Sequence, residues 1–244
     1  MLHPDSIASC SDLNSLFEIW INKPHESITY NNKPFTINHK ENIFIPDGIV
    51  NETVWNSGNK KRILFILKEA YGDDWNGATL ATWLRDCYPK DRIWSRIARL
   101  VYGIQNTSSD SIQKYIPSLD DETHKDCLQQ IAVMNLKKSN GKSTSDYDEI
   151  FAYSLIDKEE IKKEFTLIDA DIIICGATFK TLLSAVYNIS WENQIKHSDN
   201  WYYYLNLDGK ERLFIDFYHP ANHWPDLMNY YALISIYQLA LKEK

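Results

Sequence analysis

The chain has 244 residues, 44% of them hydrophobic and 24% charged, a balance that supports a sizeable packed core and excludes a disordered or fibrous polymer. A formal net charge of −7 and a pI near 5.5 argue against a protein that grips nucleic acid through a broadly basic surface. There is no uncharged run of about 18 residues to span a membrane, no basic and apolar leader, and the four cysteines, Cys10, Cys87, Cys127 and Cys175, stand singly. The expectation is therefore a cytoplasmic, monomeric protein with reduced thiols and neither metal nor organic cofactor.

In chain order, a helix is expected over 13–21, followed by an irregular stretch punctuated by Pro24, Pro34 and Pro46. Residues 1–60 read as an extension packed on a single domain. Short apolar runs at 63–67, 131–136 and 171–175 have the length and composition of strands buried on both faces of a parallel sheet. A fourth run covers 212–217, preceded by an antiparallel strand at 201–207 and a tight turn at Asp208-Gly209. Helical patterns fall between them at 79–88, 92–102, 147–168 and 179–187, with a last helix over 226–242. Residues 107–118, rich in Ser, Asp and Gln, read as a flexible loop. Strands alternating with helices specify an α/β fold, a three-layer α/β/α sandwich on a central, mainly four-stranded parallel sheet.

In such a sheet ligands bind outside the carboxyl ends of the strands. The first strand ends in Lys68-Glu69-Ala70-Tyr71-Gly72-Asp73-Asp74-Trp75 and the second in Asn135-Leu136-Lys137-Lys138. The third ends in Gly176-Ala177-Thr178, and the fourth in Tyr218-His219-Pro220-Ala221-Asn222-His223-Trp224. A carboxylate, an amide, an imidazole and aromatic rings thus share one edge. An aromatic ring can stack on a nucleobase, Asn can read its amide edge with one donor and one acceptor, and His can donate to a carbonyl on which charge develops. A carboxylate can orient water and offset positive charge on a sugar.

The order strand–Lys68-Glu69-Ala70-Tyr71, strand–Asn135-Leu136, strand–Gly176, strand–His219-Pro220 resembles the uracil-DNA glycosylase superfamily over residues 62–225. The resemblance implies an N-glycosylase of DNA or of a nucleobase-containing small molecule, hydrolysing the bond to a uracil-like or modified base. It places Glu69 as the water-activating carboxylate, His219 as stabiliser of the departing base, Tyr71 as a pocket wall and Asn135 as reader of the base. Lys68, Lys137, Lys138 and Gly176 are expected to contact phosphate, and Trp224 or Leu227 to enter the base stack. The chain departs from the family where Glu69 replaces the shorter Asp, Ala70 the following Pro, and Ala-Asn-His a hydroxyl-rich loop after His219-Pro220.

Other readings of the same residues stay open: Glu69 as a helix cap or partner of Lys68, Asn135 as a turn former, His219 as a structural histidine, and Gly176 as a tight turn. The stretches 60–62 and 85–99 and the lysines at 137, 138 and 142 are candidate cationic faces. A base-binding module that does not cleave, or a hydrolase of small nucleosides, would use the same edge.

Overall fold

The computed structural model describes residues 4–72, 75, 77–190 and 201–243. The first elements are α1 (Pro4–Ala8), α2 (Leu13–Ile21), the hairpin β1 (Glu26–Tyr30) and β2 (Lys33–Ile37), β3 (Gly48–Ile49) and α3 (Glu52–Trp55). Next come β4 (Ile63–Tyr71), α4 (Leu80–Cys87), α5 (Arg92–Asn106), α6 (Asp121–Gln129), β5 (Ile131–Gly141), α7 (Tyr147–Ile156) and α8 (Lys158–Ile168). The last are β6 (Ile172–Gly176), α9 (Phe179–Thr181) running into a π turn (Leu182–Val186), β7 (Tyr202–Leu207), β8 (Lys210–Phe217) and α10 (Asp226–Glu243).

Six strands form the main sheet in the order β3-β5-β4-β6-β8-β7. The middle four are parallel, and β3 and β7 close the two edges in the antiparallel sense. Side chains alternate between faces along each strand. Ile63, Phe65, Ile131, Val133, Ile172, Ile174, Leu213 and Ile215 pack against α4, α5, α6 and α10. Leu64, Ile66, Ala132, Met134, Ile173, Cys175 and Phe214 pack against α2, α7, α8 and α9. Both faces of the parallel strands are therefore covered, which is why they read as unbroken apolar runs. The chain leaves β4 for β5 on one side and returns to β6 on the other, so strand order reverses between β4 and β6. A crevice for ligands is expected outside the carboxyl ends of these strands.

The structure extends or corrects several sequence expectations. The helix expected over 147–168 is two helices, because Asp157 breaks it. The Asp157 carboxylate is buried and engaged by Lys23 and His39, 3.2 Å from each, and this holds the backbone at a corner. The amino-terminal stretch contains the β1–β2 hairpin, which stacks Tyr30 on Phe151 of α7 with ring centroids 4.2 Å apart. The segment 107–118, expected to be flexible, is fastened to α10 and α5. Tyr230 donates to the Gln113 carbonyl, Tyr231 accepts from the Tyr115 amide, and Arg99 donates to the Pro117 carbonyl. The β7–β8 hairpin turns as expected through Asp208 and Gly209, both at positive φ, the geometry of a two-residue type I′ turn. Among the described residues no helix is long and apolar enough to cross a membrane.

Lys138 lies fully buried on the face covered by α2 and α8, with its ammonium 2.5 Å from Asp47 Oδ1 and 2.9 Å from Glu164 Oε1. It therefore makes no phosphate contact, contrary to expectation. Burial opposes its charge, but the two carboxyl groups outweigh this and raise its pKa. Burial beside Asp47 pushes Glu164 well above the usual carboxylate range. Removing one partner of a buried pair leaves uncompensated charge and costs about 3–5 kcal/mol. Lys138→Met is accordingly expected to lower the free energy of urea unfolding by that order, whereas Lys60→Met, at an exposed position, should stay within about 0.5 kcal/mol of the parent.

Candidate functional site

The ladder brings the predicted groups to one edge. Asn135 of β5 stands opposite Leu67 of β4. The Leu67 side chain in turn covers Gly176 of β6, where an added Cβ would come within 2.8 Å of Leu67 Cδ2, 3.2 Å of Pro220 Cδ and 3.5 Å of His219 Cα. Gly176 is thus needed for close approach of the loop after β8. The next amide, of Ala177, is already donated to the Phe217 carbonyl at 2.7 Å, so it is not free for the phosphate contact expected at Gly176. Asn135 keeps the parity of Ile131 and Val133, Leu67 that of Ile63 and Phe65, and Gly176 that of Ile172 and Ile174. All three positions therefore belong to one face. With His219 folded back over β6, Asn135 and His219 are about two strand spacings apart, roughly 10 Å, with Leu67 between them on the same face.

Asn135 is 2% exposed, and neither its side-chain oxygen nor its side-chain nitrogen has a hydrogen-bond partner among the described residues. Its backbone amide is held by Asp47 Oδ2 at 2.7 Å. A buried amide left with both polar atoms free costs about 1–3 kcal/mol for each unmade bond. A turn former would spend those atoms on its own backbone. Asn135 does not.

His219 Nδ1 accepts the Ala221 amide at 3.1 Å, which places the proton of the neutral ring on Nε2. Burial pushes the imidazole down to about 4, with the charge of Lys68 adding to the shift. At neutral pH the ring is therefore an uncharged N–H donor. Lys68 is placed over the Tyr147 ring, 4.9 Å from its centroid.

Glu69 is neither a helix cap nor a partner of Lys68. Strand β4 continues to Tyr71, and Glu69 Oε2 lies 2.8 Å from Lys137 Nζ across the ladder. Both side chains are about 5% exposed or less, and Lys137 also approaches Glu149 at 3.2 Å. Burial opposes the charge of Lys137, while Glu69 and Glu149 outweigh it and raise its pKa. Lys137 therefore secures Glu69 and has no free ammonium for phosphate, which corrects that expectation too. A Cβ on Gly141 would overlap the Glu69 carboxyl, so Gly141 makes the space for it. Tyr71 is 71% exposed, at the mouth of the edge and not in the wall of an enclosed pocket. Trp224 is 53% exposed and Leu227 49%. Asp73 and Asp74 lie outside the described residues.

The loop that carries His219 is anchored by residues that sequence reasoning treated as a cationic surface. Arg96 donates to the carbonyls of Pro220, Asn222 and Trp224 and to Asp226, and Arg92 donates to the Asn222 carbonyl. Arg99 pairs with the other oxygen of Asp226. The signal was present in the spacing: Arg92, Arg96, Arg99 and Gly103 repeat at helical intervals, and on one face of a helix such a stripe marks a contact. Gly103 extends it to α10, where a Cβ would meet Ile234 Cδ1 at 2.6 Å. Asn222 and Asn229 complete the anchor through reciprocal side-chain bonds of 2.8 and 3.1 Å. Among the described residues no three His, Cys, Asp or Glu side chains form a metal set.

The depressed pKa of His219 gives a pH dependence with a defined sign. An unfolded histidine protonates near 6.5, whereas His219 in the fold does so near 4. Between those pH values the unfolded state binds a proton that the folded state refuses. Its contribution to stability is thus complete above about 6.5 and falls as the pH drops, by at most roughly 1.4 kcal/mol per unit. Urea unfolding at pH 7 and pH 5 is expected to show a smaller loss for His219→Gln than for the parent, and a nitrogen NMR titration to find an Nε2-protonated ring at neutral pH.

The chain matches no family model and no curated protein, so the chemistry of this edge is read from its own geometry.

Proposed function

We propose that the carboxyl edge recognises a nucleobase and hydrolyses its N-glycosidic bond, as the uracil-DNA glycosylase-like motifs imply. The unpaired amide of Asn135 carries this reading. Its Nδ2 donates to and its Oδ1 accepts from the edge of a base presenting the complementary pair, so binding recovers the cost of leaving both atoms unmatched in the core. His219, neutral at pH 7, offers Nε2–H to the base oxygen that gains charge as the glycosidic bond breaks. A neutral donor there strengthens its hydrogen bond as charge develops, which lowers the barrier without first binding an anion. Glu69 is the carboxylate for orienting water, held in register by Lys137. A base within a duplex must leave the stack to reach this edge.

A second reading, binding without cleavage, is favoured by the same Lys137. An ammonium at 2.8 Å offsets the electrostatic support that the Glu69 carboxylate would give a cationic sugar. The two readings differ in one product.

Purified protein incubated with single- and double-stranded oligonucleotides containing uracil, hypoxanthine, xanthine or modified pyrimidines is expected to leave alkali-labile abasic sites. Asn135→Ala and Glu69→Gln should abolish them, and His219→Ala should slow their formation by about 10²–10³-fold. Base binding that is lost in Asn135→Ala, with no abasic product at high enzyme concentration, would establish the non-cleaving reading. If the parent neither binds nor cleaves any member of the panel, the base-recognition reading fails.

A further inference from the structure

The base site is ringed by exposed aromatic side chains. Tyr71 (71% exposed), Tyr147, Tyr218, Trp201 and Trp224 (53% exposed) all stand at the carboxyl edge of the sheet. Tyr71 ends β4 and Tyr147 opens α7 above Lys68, on the Asn135 side. Tyr218 immediately precedes His219, and Trp201 approaches Tyr218 with ring centroids 5.2 Å apart at the start of β7. Trp224 projects from the anchored loop after His219, its amide tied to Asn222 Oδ1 at 2.9 Å. The rings thus flank the Asn135–His219 line on both sides.

The cations tell against a grip on phosphates. Lys137 and Lys138 are buried between carboxyl groups, and Arg92, Arg96 and Arg99 are used on the His219 loop. Lys61 and Arg62 precede β4, at the opposite end of the strands, with Arg62 paired to Asp169 and Asp171. A duplex binder draws its main affinity from phosphate contacts, and these arginines and lysines are committed elsewhere, whereas the stacking of bases on aromatic rings adds affinity that needs no cation.

We propose that this edge holds a single-stranded stretch of nucleic acid by stacking its bases on Tyr71, Tyr147, Tyr218 and Trp224 on either side of the base site. The proposal rests on the base-recognition reading and names its substrate class. Bases adjoining the recognised one lie on the flanking rings, and Lys68 beside Tyr147 adds positive charge to the track. Affinity then grows with strand length and depends little on salt.

Fluorescence anisotropy with a labelled oligo-dT of about eight nucleotides, near the lower size of single-strand sites, and with a hairpin duplex of equal length tests this at about 50 and about 200 mM salt. The single strand is expected to bind at least about 10-fold more tightly than the duplex, with a log–log salt slope shallower than about −1. Tyr71→Ala and Trp224→Ala should each lose about 10-fold, and Trp224→Phe should retain most of the affinity. These side chains are exposed, so their removal leaves the core intact. Equal affinity for the duplex, a steep salt slope, or alanine variants that bind like the parent would overturn the proposal. So would a dimer in sedimentation that Trp224→Ala dissolves. Calorimetry with deoxyuridine separates the two readings. Deoxyuridine binding that requires Asn135, with no gain on lengthening the strand, would sink the stacking track and leave base recognition standing. Octamer binding that requires the rings but survives Asn135→Ala would do the reverse.

Discussion

The ammonium of Lys138, buried between Asp47 and Glu164, is the constraint around which the candidate site is arranged. A charge so deep is tolerable only when its partners are fixed, and fixing them joins three separate parts of the chain. Asp47 belongs to the segment before β3, Lys138 to the second half of β5, and Glu164 to α8. The antiparallel ladder of β3 on β5 covers only Gly48–Val133 and Ile49–Ala132. Just beyond it, the second oxygen of Asp47 takes the amide of Asn135. One carboxylate therefore neutralises the buried lysine and completes the backbone at the residue whose side chain is left free. The same arrangement recurs one position away, where Lys137 stands between Glu69 and Glu149.

Two clusters, each with one ammonium between two carboxyl groups, give the edge little positive charge to offer. His219 adds none at neutral pH. The Asn135 amide and the His219 imidazole are neutral, a pair suited on the proposed reading to an uncharged heterocycle. Rigidity comes from the other direction. The arginine stripe of α5 and the Asn222–Asn229 pair hold the His219 loop by bonds to backbone carbonyls, so the imidazole is oriented by an element that touches no ligand.

The parallel strands are legible in the sequence because burial on both faces demands unbroken apolar runs, as at 63–67 and 131–134. Their continuations are not. Residues 68–71 and 137–141 are polar, and they stay in the sheet because their charges find partners that only the fold brings near. Asn135, His219 and Gly176 can be placed at one edge from sequence, since each follows an apolar run. The burial of Lys137 and Lys138 cannot, because a lysine pair after a strand reads equally as a surface. Nothing local marks Asp47, whose partners lie 88 and 91 residues away. The arginine stripe of α5 was open to the opposite error, since its helical spacing points to a contact while its charge suggests solvent. The break at Asp157 escapes a periodicity argument for the same reason, as its cause is a buried carboxylate answered by Lys23 and His39.

The order of the parallel strands has a consequence for how occupancy and folding are linked. Asn135, Glu69, Gly176 and His219 come from strands or strand ends spread over more than half the chain, joined by crossovers that close slowly because their contacts are distant in sequence. No smaller folded unit contains the set. Local fraying at one edge would dismantle the site before it exposed the core, and a base held there would resist unfolding of the whole sheet and not of one loop. At a concentration of 100 times its dissociation constant, such a base would add about 2.7 kcal/mol to the stability of the native state. For this chain, then, the edge is assembled only when the last parallel strand docks, and on the proposed reading a bound base would act as a clasp across all four.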